Sequence, residues 1–109
     1  MKVVRCSLMP RRWCINLFGV AVSGDTSWID RRVVNHERIH TAQMRELLFV
    51  PFYVLYGIEW LVRLVLCFSF MRAYRSMSFE REAYGNDADM GYLERRRAYA
   101  WLRYVFKRK

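Results

Sequence analysis

The chain has 109 residues, enough for one small domain close to the lower size at which a single core is self-sufficient. Its composition, 54% hydrophobic and 17% aromatic, excludes a disordered chain. Nineteen Lys and Arg against ten Asp and Glu give a net charge of +9. No nucleic-acid-binding motif accompanies that charge, so an anionic membrane surface is the expected partner and nucleic acid is not.

Residues 1 to 14 are basic, and an apolar run from Ile15 to Val22 follows. That order resembles a secretory signal, with Ala21 and Ser23 as small residues. The run is short, however, and Asn16 and Gly19 interrupt it. Secretion is therefore not expected, and a strand or hairpin over 15–22 is, closed by the turn residues Ser23-Gly24-Asp25. Cys6, Cys14 and Cys67 show no C-x-x-C spacing, which suits reduced thiols in the cytoplasm and gives no zinc-ribbon signal.

Asp25 to Ser27 and Asp30 offer caps for a helix over about 30–49, which Pro51 interrupts or kinks. Leu47 to Phe70 is the most apolar stretch and is long enough to cross a bilayer. It contains Pro51, Gly57, Glu59 and Arg63, the last two spaced to pair on one helical face. A core or surface-packed helix over about 52–70 is expected rather than a span. Arg72 to Met77 reads as a polar connection, and Ser78 as the N-cap of a helix over 78–84. Gly85 to Gly91, with Asn86, Asp87 and Asp89, reads as a solvated loop. The chain closes on a basic amphipathic helix over about 92–107. Its apolar face includes Tyr92, Leu102 and Phe106, and its cations include Arg96, Lys107, Arg108 and Lys109. The expected whole is one domain over residues 1–109, α+β and mostly helical.

The chemistry concentrates at His36-Glu37-Arg38-Ile39-His40, an H-E-x-x-H pattern holding the only two histidines in the chain. On a helix, positions four apart lie one turn above each other, so both imidazoles can reach one Zn2+ ion. Glu37 is rotated about 100° from His36, which suits a general base acting on water rather than a ligand. A third ligand must come from elsewhere in the fold. The turn Glu80-Arg81-Glu82-Ala83-Tyr84 carries carboxylates beside a small residue that permits close helix approach.

These residues resemble the gluzincin metallopeptidases, in which H-E-x-x-H is followed by a glutamate on a second helix. The chain is similar in size to the minigluzincins. Glu80 and Ala83 match the family's E-x-x-A-D or E-x-x-A-N pattern, with Tyr84 in place of the acidic or amide residue. The resemblance implies a minimal zincin-like domain, with a short N-terminal strand or hairpin packed on the H-E-x-x-H helix. It implies zinc held by His36, His40 and Glu80, with Glu37 as catalytic base for hydrolysis of a peptide or protein substrate. A thermolysin-like register makes Glu82 the third ligand instead, with Asn86 supporting it. Tyr84 is the candidate oxyanion donor or supporting residue. An edge strand with Ile15, Leu17 and Phe18 is the candidate substrate-binding strand. The alternative is a non-catalytic, zinc-stabilised module that docks on a membrane or a larger partner.

Overall fold

A computed structural model describes residues 1–105. Of the strand or hairpin expected over 15–22, the chain forms the hairpin. Its strands β2 (Cys14–Leu17) and β3 (Val20–Ser23) are joined by a two-residue turn at Phe18 and Gly19, with φ of 51° and 96°. Such turns match the twist of paired strands but demand left-handed backbone, which Gly19 supplies without strain. Phe18 accepts it because its amide donates to the Tyr53 hydroxyl at 3.0 Å. A further strand, β1 (Val3–Arg5), lies parallel to β3 within the basic leader and gives the order β1-β3-β2. β2 is thus an edge strand.

Helix α1 (Arg31–Glu46) begins where the Asp30 carboxylate accepts the Val33 amide at 3.0 Å. It stops before Pro51 rather than kinking there. Leu48 and Phe49 turn left-handed, at φ 59° and 66°, and a new helix α2 (Val50–Cys67) carries Pro51 in its first turn, where no amide is missed. The segment expected as a polar connection is itself a helix, α3 (Phe70–Ser76), capped by Ser69. Met77, not Ser78, is the N-cap of α4 (Ser78–Asn86). Ser78 instead donates its amide and hydroxyl to Glu59 of α2, at 2.9 and 2.8 Å, so the cap of α4 comes from another helix.

The expected helix over 92–107 is replaced by a short helix α5 (Tyr92–Arg95) and a 3-10 turn (Ala100–Tyr104). The reason is Arg96, which turns inward rather than onto a solvated cationic face. Its guanidinium bonds Glu46 at 2.9 and 3.0 Å and Glu82 at 2.5 and 3.1 Å. Phe106, Lys107, Arg108 and Lys109 lie outside the described residues.

Met44, Phe52, Met77 and Phe79 form the core, with Tyr53, Tyr56, Trp60 and Trp101 packed around them. The Phe79 ring lies 4.9 Å from that of Phe52 and 4.6 Å from that of Trp101. Ala83 is fully buried where α4 meets α1, the close approach its size permits. Of the core and surface-packed alternatives expected for this segment, helix α2 takes the second. Phe52 is its one buried residue, and most of its aliphatic side chains face outward.

Candidate metal centre

Helix α1 sets His36 above His40, and α4 brings Glu80 across to meet them. All three side chains are buried. The two Nε2 atoms are 3.2 Å apart, and Glu80 Oε1 lies 3.1 Å from that of His36 and 3.0 Å from that of His40. Donors on a tetrahedral zinc ion, each about 2.1 Å from the metal, stand about 3.4 Å from one another. Three donor atoms aimed at one point therefore have the spacing of a metal site, and this group could hold a metal ion.

The opposite side of each ligand is also held. His36 Nδ1 lies 3.0 Å from Asp87 Oδ2, and His40 Nδ1 lies 2.8 Å from Gln43 Oε1. In the neutral imidazoles, an acceptor at each Nδ1 places the proton there and leaves Nε2 as a lone pair facing the cluster. Glu80 Oε2 accepts a hydrogen bond from the Tyr56 hydroxyl. The supports are supported in turn. Arg32 Nε donates to Asp87 Oδ1 at 2.7 Å, and Gln43 Nε2 donates to Phe79 O and to Glu82 Oε1, each at 3.0 Å.

Without a cation, protons must relieve this convergence. Burial alone lowers the pKa of His40, but the charge and hydrogen bond of Glu80 outweigh it and lift the imidazole to about 9. Burial opposes ionisation of Glu80, yet His40 and His36 together hold its carboxyl well below the usual range. Burial pushes the Glu37 carboxyl up, against the pull of His40 and His36. Unlike those of the three converging residues, the Glu37 side chain makes no hydrogen bond to any described residue, and it lines the cleft at 7% exposure.

Glu37, His36, His40 and Glu80 lie on the wall of a cleft of about 1000 Å³, whose other walls are largely aromatic: Trp13, Trp28, Tyr53, Tyr74 and Tyr84 among them. Asn16 of β2 fixes the sheet against this wall by donating to Glu37 O at 2.8 Å and Thr41 Oγ1 at 3.0 Å. Ile15 lines the cleft, whereas Leu17 and Phe18 lie beyond it, exposed at the hairpin turn. Cys14 also lines it. Burial and the charge of Glu37 push its thiol up to about 12, so it stays protonated.

Of the two candidate third ligands, Glu80 joins the histidines and Glu82 does not. Glu82 is fully buried in the ion pair with Arg96 and accepts from Tyr92 at 2.6 Å. Asn86 is not brought to the cluster either; it donates to Glu82 O and to the Tyr104 hydroxyl. Tyr84 packs its ring edge-to-face against His36, centroids 4.4 Å apart, with its hydroxyl paired to that of Tyr74. That makes it a wall of the site.

Three contributors escape sequence reasoning. Gln43 had a readable signal, since it follows His40 by three residues on the same helical face. Tyr56 had none. Asp87 belongs to the acidic loop expected to be solvated, yet it is 4% exposed. Asn35 draws that loop in by donating to the carbonyls of Asp87 and Asp89, each at 3.0 Å. Comparison with family models, with curated proteins and with solved structures gives no match for this chain.

Proposed function

We propose that this chain is a zinc-dependent metallopeptidase of the gluzincin kind, built on a minimal zincin-like domain. The observation that carries the reading is Glu37, whose carboxylate has no hydrogen-bond partner among the described residues and sits on a cleft wall beside three converging donors. A structural zinc site is normally closed by four protein ligands, whereas a catalytic one keeps three and faces a cavity. Histidine and carboxylate donors without a thiolate also favour the catalytic class. Asp87 takes over the ligand-orienting role that the family pattern gives to the position occupied here by Tyr84.

Zinc bound by His36, His40 and Glu80 supplies a Lewis acid that polarises a peptide carbonyl and makes an attacking water more acidic. Glu37, next to His36 on the cleft wall, would accept that water's proton. The same carboxyl then returns the proton to the leaving amine. Edge strand β2 offers a template for an extended substrate. In a two-residue hairpin Leu17 and Ile15 pair with Val20 and Val22, which leaves the backbone groups of Cys14 and Asn16 on the outer edge. The Asn16 carbonyl is taken by Tyr53, so main-chain pairing falls to Cys14, beside the aromatic cleft. The free thiols fit a cytoplasmic setting.

Zinc content and peptide hydrolysis, measured on wild type and Glu37→Gln side by side, test the proposal. About one zinc per chain is expected in both, with turnover reduced by at least about 10²-fold in the variant. Hydrolysis unchanged in Glu37→Gln would remove the base assignment. Stoichiometric zinc with no hydrolysis of any peptide in a mixed-sequence library would make the centre structural and the protein a binding module.

A further inference from the structure

Helix α2 is turned inside out relative to a helix packed in water. Its polar side chains face the protein: Tyr53 donates to Asn16 O, Tyr56 to Glu80, and Arg63 to Val105 O at 2.6 Å, while Glu59 receives Ser78. The side chains of Glu59 and Arg63, its only charges, are 16% and 22% exposed. On the opposite side Val54, Ile58, Leu61, Val62, Val65 and Leu66 are each 53% to 71% exposed. That apolar strip carries no charged residue. From Val54 to Leu66 it runs about 18 Å, and the corner into α3 extends it with Phe68, Phe70 and Met71 at 89%, 68% and 62% exposed.

An apolar face of this length on a monomer marks a surface that something covers. We propose that α2 and the start of α3 form a membrane-docking surface, and that a lipid bilayer with anionic headgroups covers it. The charge of the chain selects this occupant. At +9, two copies meeting through the strip would repel each other, whereas an anionic bilayer matches both the apolar face and the charge. Exposed Arg72, which has no carboxylate partner among the described residues, follows directly on Phe70 and Met71 and stands at headgroup level when they insert.

The helix lies in the interface rather than crossing it. Its inner face is fastened to α4 through Glu59 and to the C-terminal turn through Arg63, so a span would drag the ionised residues of those elements into hydrocarbon. Phe70 and Met71 belong to the cleft wall as well as to this exposed surface, so docking sets the cleft mouth at the membrane. The docking surface stands whether or not the metal centre is catalytic.

Vesicle co-sedimentation of the full chain tests the surface, using phosphatidylcholine vesicles with and without phosphatidylglycerol at low salt. Ile58→Glu combined with Val65→Glu places two charges on the strip, far from the metal cluster. Wild type is expected to pellet with the anionic vesicles, and the double variant to bind at least about tenfold more weakly at unchanged zinc content and melting temperature. Arg72→Ala is expected to weaken binding about fivefold, the equivalent of one cation near an anionic surface. Wild type remaining in the supernatant with anionic vesicles, or the folded double variant pelleting as well as wild type, overturns the proposal. Equal binding to neutral vesicles overturns the choice of an anionic surface. A wild-type dimer that the double variant breaks, without vesicle binding, assigns the strip to self-association instead.

Discussion

Asp87 shows how much of the candidate centre depends on residues that touch no metal. Its carboxylate holds His36 Nδ1 and is itself held by Arg32 and, through the backbone, by Asn35. Replacing it with Asn keeps the size but loses the charge that makes the imidazole a strong ligand. Asp87→Asn is expected to weaken zinc affinity about 10- to 100-fold with little change in helix content, read by competition against a chromophoric chelator. If the proposed function holds, Glu37→Gln is expected to give the opposite pattern, with zinc affinity kept and turnover lost. The two substitutions separate holding the metal from using it.

Among the elements, the C-terminal segment is fastened by one buried ion-pair network. Arg96 joins Glu46 of α1 to Glu82 of α4, and Tyr92 adds a hydrogen bond to the same carboxylate. Removing the guanidinium strands two carboxylates, one of them fully buried, without their counter-charge. Arg96→Ala is expected to cost about 3–5 kcal/mol in urea unfolding, far more than removal of an exposed arginine such as Arg38. Glu82 sits two residues from Glu80, so loss of this network also loosens the helix that delivers the third donor. Some loss of zinc affinity should accompany the loss of stability.

For the whole molecule, a metal bound at the junction of α1 and α4 would contribute folding free energy directly. At free zinc 1000-fold above Kd the stabilisation is about 4 kcal/mol, or roughly 15–30 °C in melting temperature for a domain of this size. Thermal melts with and without a chelator measure it. The metal-free protein has its own pH dependence. His40 is raised to about 9 from an ordinary value of 6.5, so the stability from its protonated pairing with Glu80 is fully present below pH 6.5 and lost as pH rises through about 9. Zinc needs His40 neutral at Nε2, so its affinity rises over the same range. The gap between zinc-loaded and chelated melting temperatures should therefore widen from pH 6.5 to 9; a constant gap would contradict a protonated His40 in the metal-free protein.

By itself the sequence determined whatever follows from short-range geometry. Two histidines four apart on a capped helix share a face, Pro51 cannot sit beyond the first turn of a regular helix, and Ala83 leaves room for a second helix to approach. Glu59 and Arg63 likewise pair where their spacing allows, at 3.5 Å. What spacing could not supply was the partner each side chain meets across the fold. Glu80 and Glu82 are both buried carboxylates on one short helix, and only the packing of α4 on α1 sends the first to the histidines and the second to Arg96. Asp87 reads as a loop residue until Asn35 draws its backbone inward. Arg96 reads as a surface cation until two carboxylates surround it. The orientation of α2 was decided in the same way. Its polar side chains find their hydrogen-bond partners inside the domain, and its aliphatic ones are left facing out.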